Sequence, residues 1–258
     1  MTDVAGSGPG WIEPDWPAPA NVRAAISTRQ GGVSAAPFNS QNLALHVGDD
    51  PAAVAQNRAR LLQELQIPQG VQWLEQVHGC KMVGASADGR VRTADACITA
   101  ARGLACAVMT ADCLPLLICD SAGTQVAAVH AGWRGLAAGM VRRALEGFKA
   151  PAQQLLVYLG PAISQPRFEV GIEVLEAFYG TAADLDHLQA ISAAFAPSPT
   201  HPLKYHADLY ALARAELRAA GVTHIYGGQY CTYADSDLFY SYRRDTTTGR
   251  MASLIWLV

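Results

Sequence analysis

Two largely apolar runs, Leu114 to Cys119 and Gln125 to Val129, flank Asp120-Ser-Ala-Gly-Thr, and no other feature of the chain restricts its fold as much. Both runs read as buried strands, and the segment between them has hairpin turn chemistry. If the turn is centred on Ser121 and Ala122, residues whose numbers sum to 243 face each other, and Cys113 becomes the direct cross-strand neighbour of His130. A bulge at Asp112 would instead move Cys113 by one residue and onto the other face.

Opposed residues of an antiparallel pair have Cβ atoms about 4.5–5.5 Å apart. That is close enough for a sulfur and an imidazole nitrogen to share one ion at roughly 2.3 and 2.0 Å. His78, at the end of a predicted strand over Val71–Val77, can supply a third ligand. Two imidazoles and a thiolate leave a fourth position for water or substrate, as in catalytic rather than structural zinc sites. Mixed thiolate and imidazole ligation favours zinc, with copper binding in vitro as the other outcome. Without a metal, a Cys and a His at strand ends are packing or surface residues, or a nucleophile and its base.

The remaining pattern predicts one domain of class α/β (α+β), with mixed sheet layers flanked by helices. The chain has 258 residues, 50% of them hydrophobic, enough for a sizeable core. A formal net charge of -3, with no long run of like charge, gives no long-range attraction for nucleic acid. The start lacks the basic and apolar stretches of a signal peptide, and no segment is long and apolar enough to span a bilayer, so a cytoplasmic location is expected. The six cysteines lack CxxC spacing and read as reduced thiols.

Residues 1–15, rich in Gly and Pro, are expected to form a flexible tail ahead of a domain over 16–258. Strands are predicted at Val22–Thr28, Ala94–Thr99, Leu104–Met109, Leu155–Leu159, Thr223–Tyr226, Leu238–Tyr242 and Ala252–Leu257. Helices are predicted from Pro51, with Asp50 as N-cap, to near Gln66, and over Leu136–Phe148, Gly171–Phe178 and Asp208–Ala220.

Several stretches together resemble the YfiH family, described also as laccase-domain or purine nucleoside phosphorylase-like proteins. They are Ser27-Thr-Arg-Gln-Gly-Gly-Val-Ser, Asn42-Leu with His46-Val-Gly-Asp, Trp73-Leu-Glu-Gln-Val-His-Gly, Thr110-Ala-Asp-Cys-Leu-Pro, Ala128-Val-His-Ala-Gly-Trp-Arg-Gly, Leu159-Gly-Pro-Ala-Ile, and Tyr240-Ser-Tyr-Arg-Arg-Asp with Gly249-Arg-Met-Ala-Ser. The likeness spans about Trp16 to Val258. It implies the CNF/YfiH-like fold and assigns the metal to His78, Cys113 and His130. It departs at Gln41, where the family has Leu, and at Ser164-Gln-Pro-Arg, where the family has cysteine and tyrosine, which puts substrate contacts from that loop in question.

The activity implied is zinc-dependent phosphorolysis of adenosine, inosine, guanosine and methylthioadenosine, with adenosine deamination as a second activity. Partners are then a nucleoside and phosphate; oligomeric state is not read from the sequence. The H-x-E and P-C-x-x-C signature of zinc deaminases is absent, so deamination would need a different constellation. Phosphorolysis requires cations around the developing charge, and Arg134, Arg243 and Arg244 are candidates, with a solvated strand end as the other reading of the Arg pair. Trp133 can stack on a base or pack, Asp112 can act as acid or base or cap a turn, and His46 can be acid or base or structural. Arg29 and Asn42, in two of the matching stretches, complete the candidate substrate contacts.

Three other readings compete. Copper-dependent polyphenol oxidation would need paired H-x-H histidines, and the seven histidines include no such pair. A cysteine hydrolase with Cys113 as nucleophile and His130 as base fits the same hairpin and an alternative role in editing peptidoglycan precursors. A passive binding module has no use for an open metal position.

Overall fold

The computed structural model describes residues 10–258. Leu114–Asp120 and Val126–Ala131 form the predicted hairpin, with every residue of both strands buried. They are the centre of a six-stranded mixed sheet, ordered His224–Gly227, Leu155–Leu159, Leu114–Asp120, Val126–Ala131, Ala96–Thr99 and Met82–Gly84. Side chains alternate across it. Leu117, Cys119, Val126 and Ala128 point to one face and Leu114, Leu116, Ile118, Ala127 and Val129 to the other.

The first face packs on a five-stranded sheet, ordered Trp11–Ile12, Val22–Ser27, Met251–Leu257, Ala105–Thr110 and Val71–Gln72. Val22, Ile26, Cys106, Val108 and Ile255 of that sheet fill the space between the two. The second face is covered by helices, through Leu136, Met140, Val141 and Ala144 and through Leu209, Leu212 and Leu217. On the far side of the five-stranded sheet, Leu61 of helix Pro51–Glu64 meets Ala25, Ala107, Leu254 and Trp256. The architecture is a single α/β domain, a β-sandwich between helical layers. Double coverage is why the central strands read as continuous rather than alternating apolar runs.

Leu117, fully buried between the sheets, gives a direct test of this layering. Leu117→Ala is expected to lower unfolding free energy by about 2–5 kcal/mol, as for other large-to-small core changes, read from the urea midpoint at unchanged slope. A change below about 1 kcal/mol would contradict the inter-sheet core.

Four expectations meet corrections. Residues 1–9 of the expected tail lie outside the described residues, but Trp11–Ile12 pairs with Ile26 and Ser27, anchored by the two side chains packing on the flanking cores. The Leu136–Phe148 helix is two helices, Trp133–Ala137 and Met140–Leu145, because Gly139 takes a left-handed φ of 87° and ends the first. Val71–Val77 is not one strand. Val71–Gln72 joins the five-stranded sheet, Leu74–Glu75 pairs with Arg92–Thr93, and the chain then leaves both ladders. Leu238–Tyr242 is not a strand either: Phe239 and Tyr240 plug a small cluster with Ala111 and Met251, and Ser241 caps a short helix, Tyr242–Asp245.

A three-stranded sheet of Glu169–Gly171, Lys204–Ala207 and Phe195–Pro197, with helix Leu185–Ala193, was not legible in the sequence. No helix among the described residues is long and apolar enough to cross a membrane.

Candidate metal centre

The hairpin runs in a register different from the one expected. Val126 faces Cys119 and His130 faces Pro115, so paired numbers sum to 245. Asp120 causes the shift: its carboxylate accepts the N–H groups of Thr124 (2.7 Å) and Gln125 (2.9 Å) and the Thr124 hydroxyl (2.6 Å), building a longer turn than the two-residue one. A slip of two residues preserves side-chain parity. Cys113 is therefore diagonal to His130 on the same face, not directly opposite it.

Gly132 lies against Cys113 instead. A Cβ there would sit 3.0 Å from Cys113 Sγ and 3.6 Å from His130 Nε2, so a side chain at this position would crowd the donor set.

His78 arrives on a segment without strand pairing, and side chains hold it. Gln76 bridges Met109 with its amide, accepting from the backbone N–H (2.7 Å) and donating to the carbonyl (2.8 Å). Asp95, fully buried, accepts from the N–H groups of Val77 (3.3 Å), His78 (2.9 Å) and Gly79 (2.7 Å). His78 itself has a φ of 60° and Asp112, before Cys113, one of 103°, left-handed conformations that non-glycine residues hold at a cost and that cluster at functional sites.

The outcome is one shared donor set. A nitrogen of His78, Cys113 Sγ and a nitrogen of His130 all lie within 4.8 Å of one another, and it is the one such cluster among the described residues. The two imidazoles meet at 77° with centroids 4.8 Å apart. His130 also lies 2.8 Å from Asp95 through Nδ1, which leaves Nε2 for an ion. Tetrahedral zinc with bonds of about 2.0–2.3 Å asks for slightly closer ligands, within reach of small side-chain adjustments.

Electrostatics agree with this geometry. Burial raises the Cys113 thiol, but the His130 charge and hydrogen bonding to both imidazoles outweigh it and bring the pKa down to about 6. Burial lowers His130, yet Cys113 and Asp95 carry it up to about 9. The metal-free site is thus a thiolate–imidazolium pair. Burial holds Cys119 up at about 12 and keeps Cys106 well above the ordinary thiol range. In metal-free protein, Cys113 alkylation by iodoacetamide is expected to rise with pH through a midpoint near 6, while Cys106 and Cys119 stay inert. A Cys113 midpoint near the free-thiol value of about 8.5 would contradict the pairing.

The donors open on a cleft of about 490 Å³. Met109, Ile163 and Phe168 give it apolar walls, and His46, Tyr242, Arg243 and Arg250 give it polar ones. Arg243 stands over the Phe168 ring, with Nη1 donating to Glu169 O at 3.0 Å. Arg250 donates to the carbonyls of Thr248 and Gly249, and burial lowers its pKa. Burial, then the charges of Arg250 and Arg58, lower His46, which keeps its imidazole neutral at pH 7.

Other candidates fall elsewhere. Asp112 lines the cleft, but both oxygens are taken: Oδ1 accepts from Thr232 Oγ1 and Oδ2 from the Arg243 N–H, each at 2.7 Å. It tethers Cys113 to the Arg243 turn. Arg244 turns away and donates to the carbonyls of Thr232, Tyr233 and Phe239. Asn42 is buried and acts through Arg250, whose N–H it accepts at 2.9 Å. Arg29 lies in a separate shallow cleft, bound to Asn39 O and Ser236 O. Arg134 is exposed above the Trp133 ring, Trp133 packs against the helical-side core, and neither lines the cleft that the donor set faces.

Sequence reasoning missed Asp95, Gln76 and Arg250. Gln76 and Arg250 sit in recognised stretches, Gln-Val-His-Gly and Gly-Arg-Met-Ala-Ser, and their place there was the available signal. Asp95 had none.

This arrangement of stacked sheets and helices has solved counterparts. Protein NMB0706 of Neisseria meningitidis superposes with a TM-score of 0.90 at 49% identity, covering 96% of this chain and 99% of that one. Residues 23–258 match the family described as multi-copper polyphenol oxidoreductase laccase. The chain is 53% identical over 247 residues to a Pseudomonas aeruginosa protein named purine nucleoside phosphorylase PA4543, covering 96% of this chain and 98% of that protein. It is 49% identical over 248 residues to purine nucleoside phosphorylase YfiH of Escherichia coli, at 96% and 98% coverage. The chain belongs to this laccase-domain, YfiH family.

Proposed function

We propose that the protein is a zinc-dependent purine nucleoside phosphorylase acting on adenosine, inosine, guanosine and methylthioadenosine. The observation that carries this reading is an open set of three donors facing a cleft with two guanidinium groups on its wall. The names of its relatives from P. aeruginosa and E. coli support the substrate class.

His78, Cys113 and His130 would hold the ion. When bound, zinc supplies a Lewis acid or lowers the pKa of a bound water. Arg243 and Arg250 hold a phosphate oxygen toward the anomeric carbon. As the new carbon–oxygen bond forms, the glycosidic carbon–nitrogen bond breaks, and its electron pair leaves with the purine. Phe168 and Ile163 offer apolar surface to the base and exclude water from that side. His46, neutral and on the cleft wall, can exchange a proton with the purine or a sugar hydroxyl. Deamination of adenosine would draw on the same centre as a side activity.

The test is chromatography of inosine and adenosine incubated with and without phosphate, alongside elemental analysis. Free base with ribose 1-phosphate, formed only with phosphate and one zinc per chain, is expected. Unchanged nucleosides would refute the reading.

A second reading rests on one alignment. Asp95, His130 and Cys113 stand in line as orienter, base and thiolate of a cysteine hydrolase, for which a peptidoglycan precursor is the candidate substrate. Activity that survives zinc removal and is lost on alkylating Cys113 would favour it. Polyphenol oxidation ranks below both, because three donors cannot hold the several coppers of such enzymes and no second cluster occurs among the described residues.

A further inference from the structure

We propose that Asp95 is the positioning residue that sets the metal affinity of this centre, by fixing the His130 tautomer and the His78 segment with one carboxylate. The inference rests on the metal reading above and extends it to a residue outside the donor set.

The geometry is unusually complete. Asp95 Oδ1 meets His130 Nδ1 at 2.8 Å and the His78 N–H at 2.9 Å; Oδ2 meets the N–H groups of Gly79 at 2.7 Å and Val77 at 3.3 Å. A carboxylate has about four acceptor positions, and all are used. Its backbone takes part as well: the Asp95 carbonyl accepts the His130 N–H at 2.7 Å, and its own N–H donates to Lys81 O at 3.0 Å. The residue therefore grips His130 at backbone and ring while holding the three-residue segment that carries His78.

Two consequences follow for the ion. Because its neighbours on the backbone are all donors, the carboxylate acts as acceptor and keeps a proton on His130 Nδ1, so Nε2 is the nitrogen that gives up its proton and ligates when the ion binds. The left-handed backbone of His78 is paid for by three N–H bonds to the same group. Both imidazoles are thus placed before the ion arrives. Ligand-supporting partners of this kind are worth about 10–100-fold in metal affinity.

Asp95→Asn keeps the shape and removes half of this. If the introduced NH₂ faces His130 Nδ1, it inverts the tautomer and opposes the His78 N–H. If it faces Gly79 and Val77, it releases the segment. One histidine ligand is weakened either way.

The experiment measures the zinc dissociation constant of wild type and D95N by competition with a chromophoric chelator, with melting temperatures of the metal-free proteins. The imidazole nitrogens of zinc-loaded wild type are observed in parallel by ¹⁵N NMR, a readout that needs no variant. Expected are Nε2 ligation with Nδ1–H for His130 and zinc binding 10–100-fold weaker in D95N. Equal zinc affinity in the two proteins, or ligation of wild-type His130 through Nδ1, would overturn the role of Asp95 while leaving the metal centre standing. Absence of stoichiometric zinc from wild type would overturn both.

Discussion

Cys113→Ala is expected to yield a folded protein that retains no stoichiometric zinc and phosphorolyses nucleosides about 10³-fold more slowly or worse. The magnitude follows from the several kcal/mol of charge stabilisation that a bound ion supplies, with each 1.36 kcal/mol worth a factor of ten. Folding should survive, because Cys113 sits just before the Leu114–Asp120 strand and outside the hydrophobic clusters. His78→Ala separates the two chemistries. A metal enzyme loses ion and activity with His78 as it does with Cys113. A thiol hydrolase, which needs His130 and Asp95 beside its nucleophile, would keep most of its rate. Elemental analysis with kcat/KM for both variants decides between them.

Arg250→Met is expected to lower kcat/KM for phosphate by about 10²–10³-fold, the range for removing one preorganised donor to developing charge. Nucleoside KM should move far less. Methionine keeps the apolar stem, and the backbone N–H at this position is held by Asn42 whatever the side chain, so the strand that follows stays in register. Arg243→Met should act in the same direction. Arg244→Met should instead lower thermal stability, because that guanidinium clasps three carbonyls away from the cleft. A phosphate KM unchanged by both cleft substitutions would contradict the assignment of phosphate to this wall.

The meeting of His78, Cys113 and His130 was readable because each stands in a distinctive stretch of residues, and the central hairpin because its runs are unbroken. Its register was not readable. The shift from 243 to 245 comes from Asp120, whose side chain closes a longer turn, and parity alone kept Cys113 on the correct face. The His78 segment looked like the end of a strand but is held by Gln76 and Asp95, contacts 33 and 16–18 residues apart in sequence that no local pattern encodes. Phe239 and Tyr240 imitate strand residues because burial alone made them apolar. Of the arginines, proximity to His130 favoured Arg134, yet helix direction turns it to solvent, while Arg250 enters the cleft beside Tyr242.

Zinc K-edge absorption on purified, zinc-loaded protein tests the central claim most directly. One sulfur near 2.3 Å, two imidazole nitrogens near 2.0–2.1 Å and a further light-atom scatterer at one ion per chain are predicted. A shell without sulfur, with more than one sulfur, or with a second metal as neighbour would contradict a mononuclear centre built from His78, Cys113 and His130.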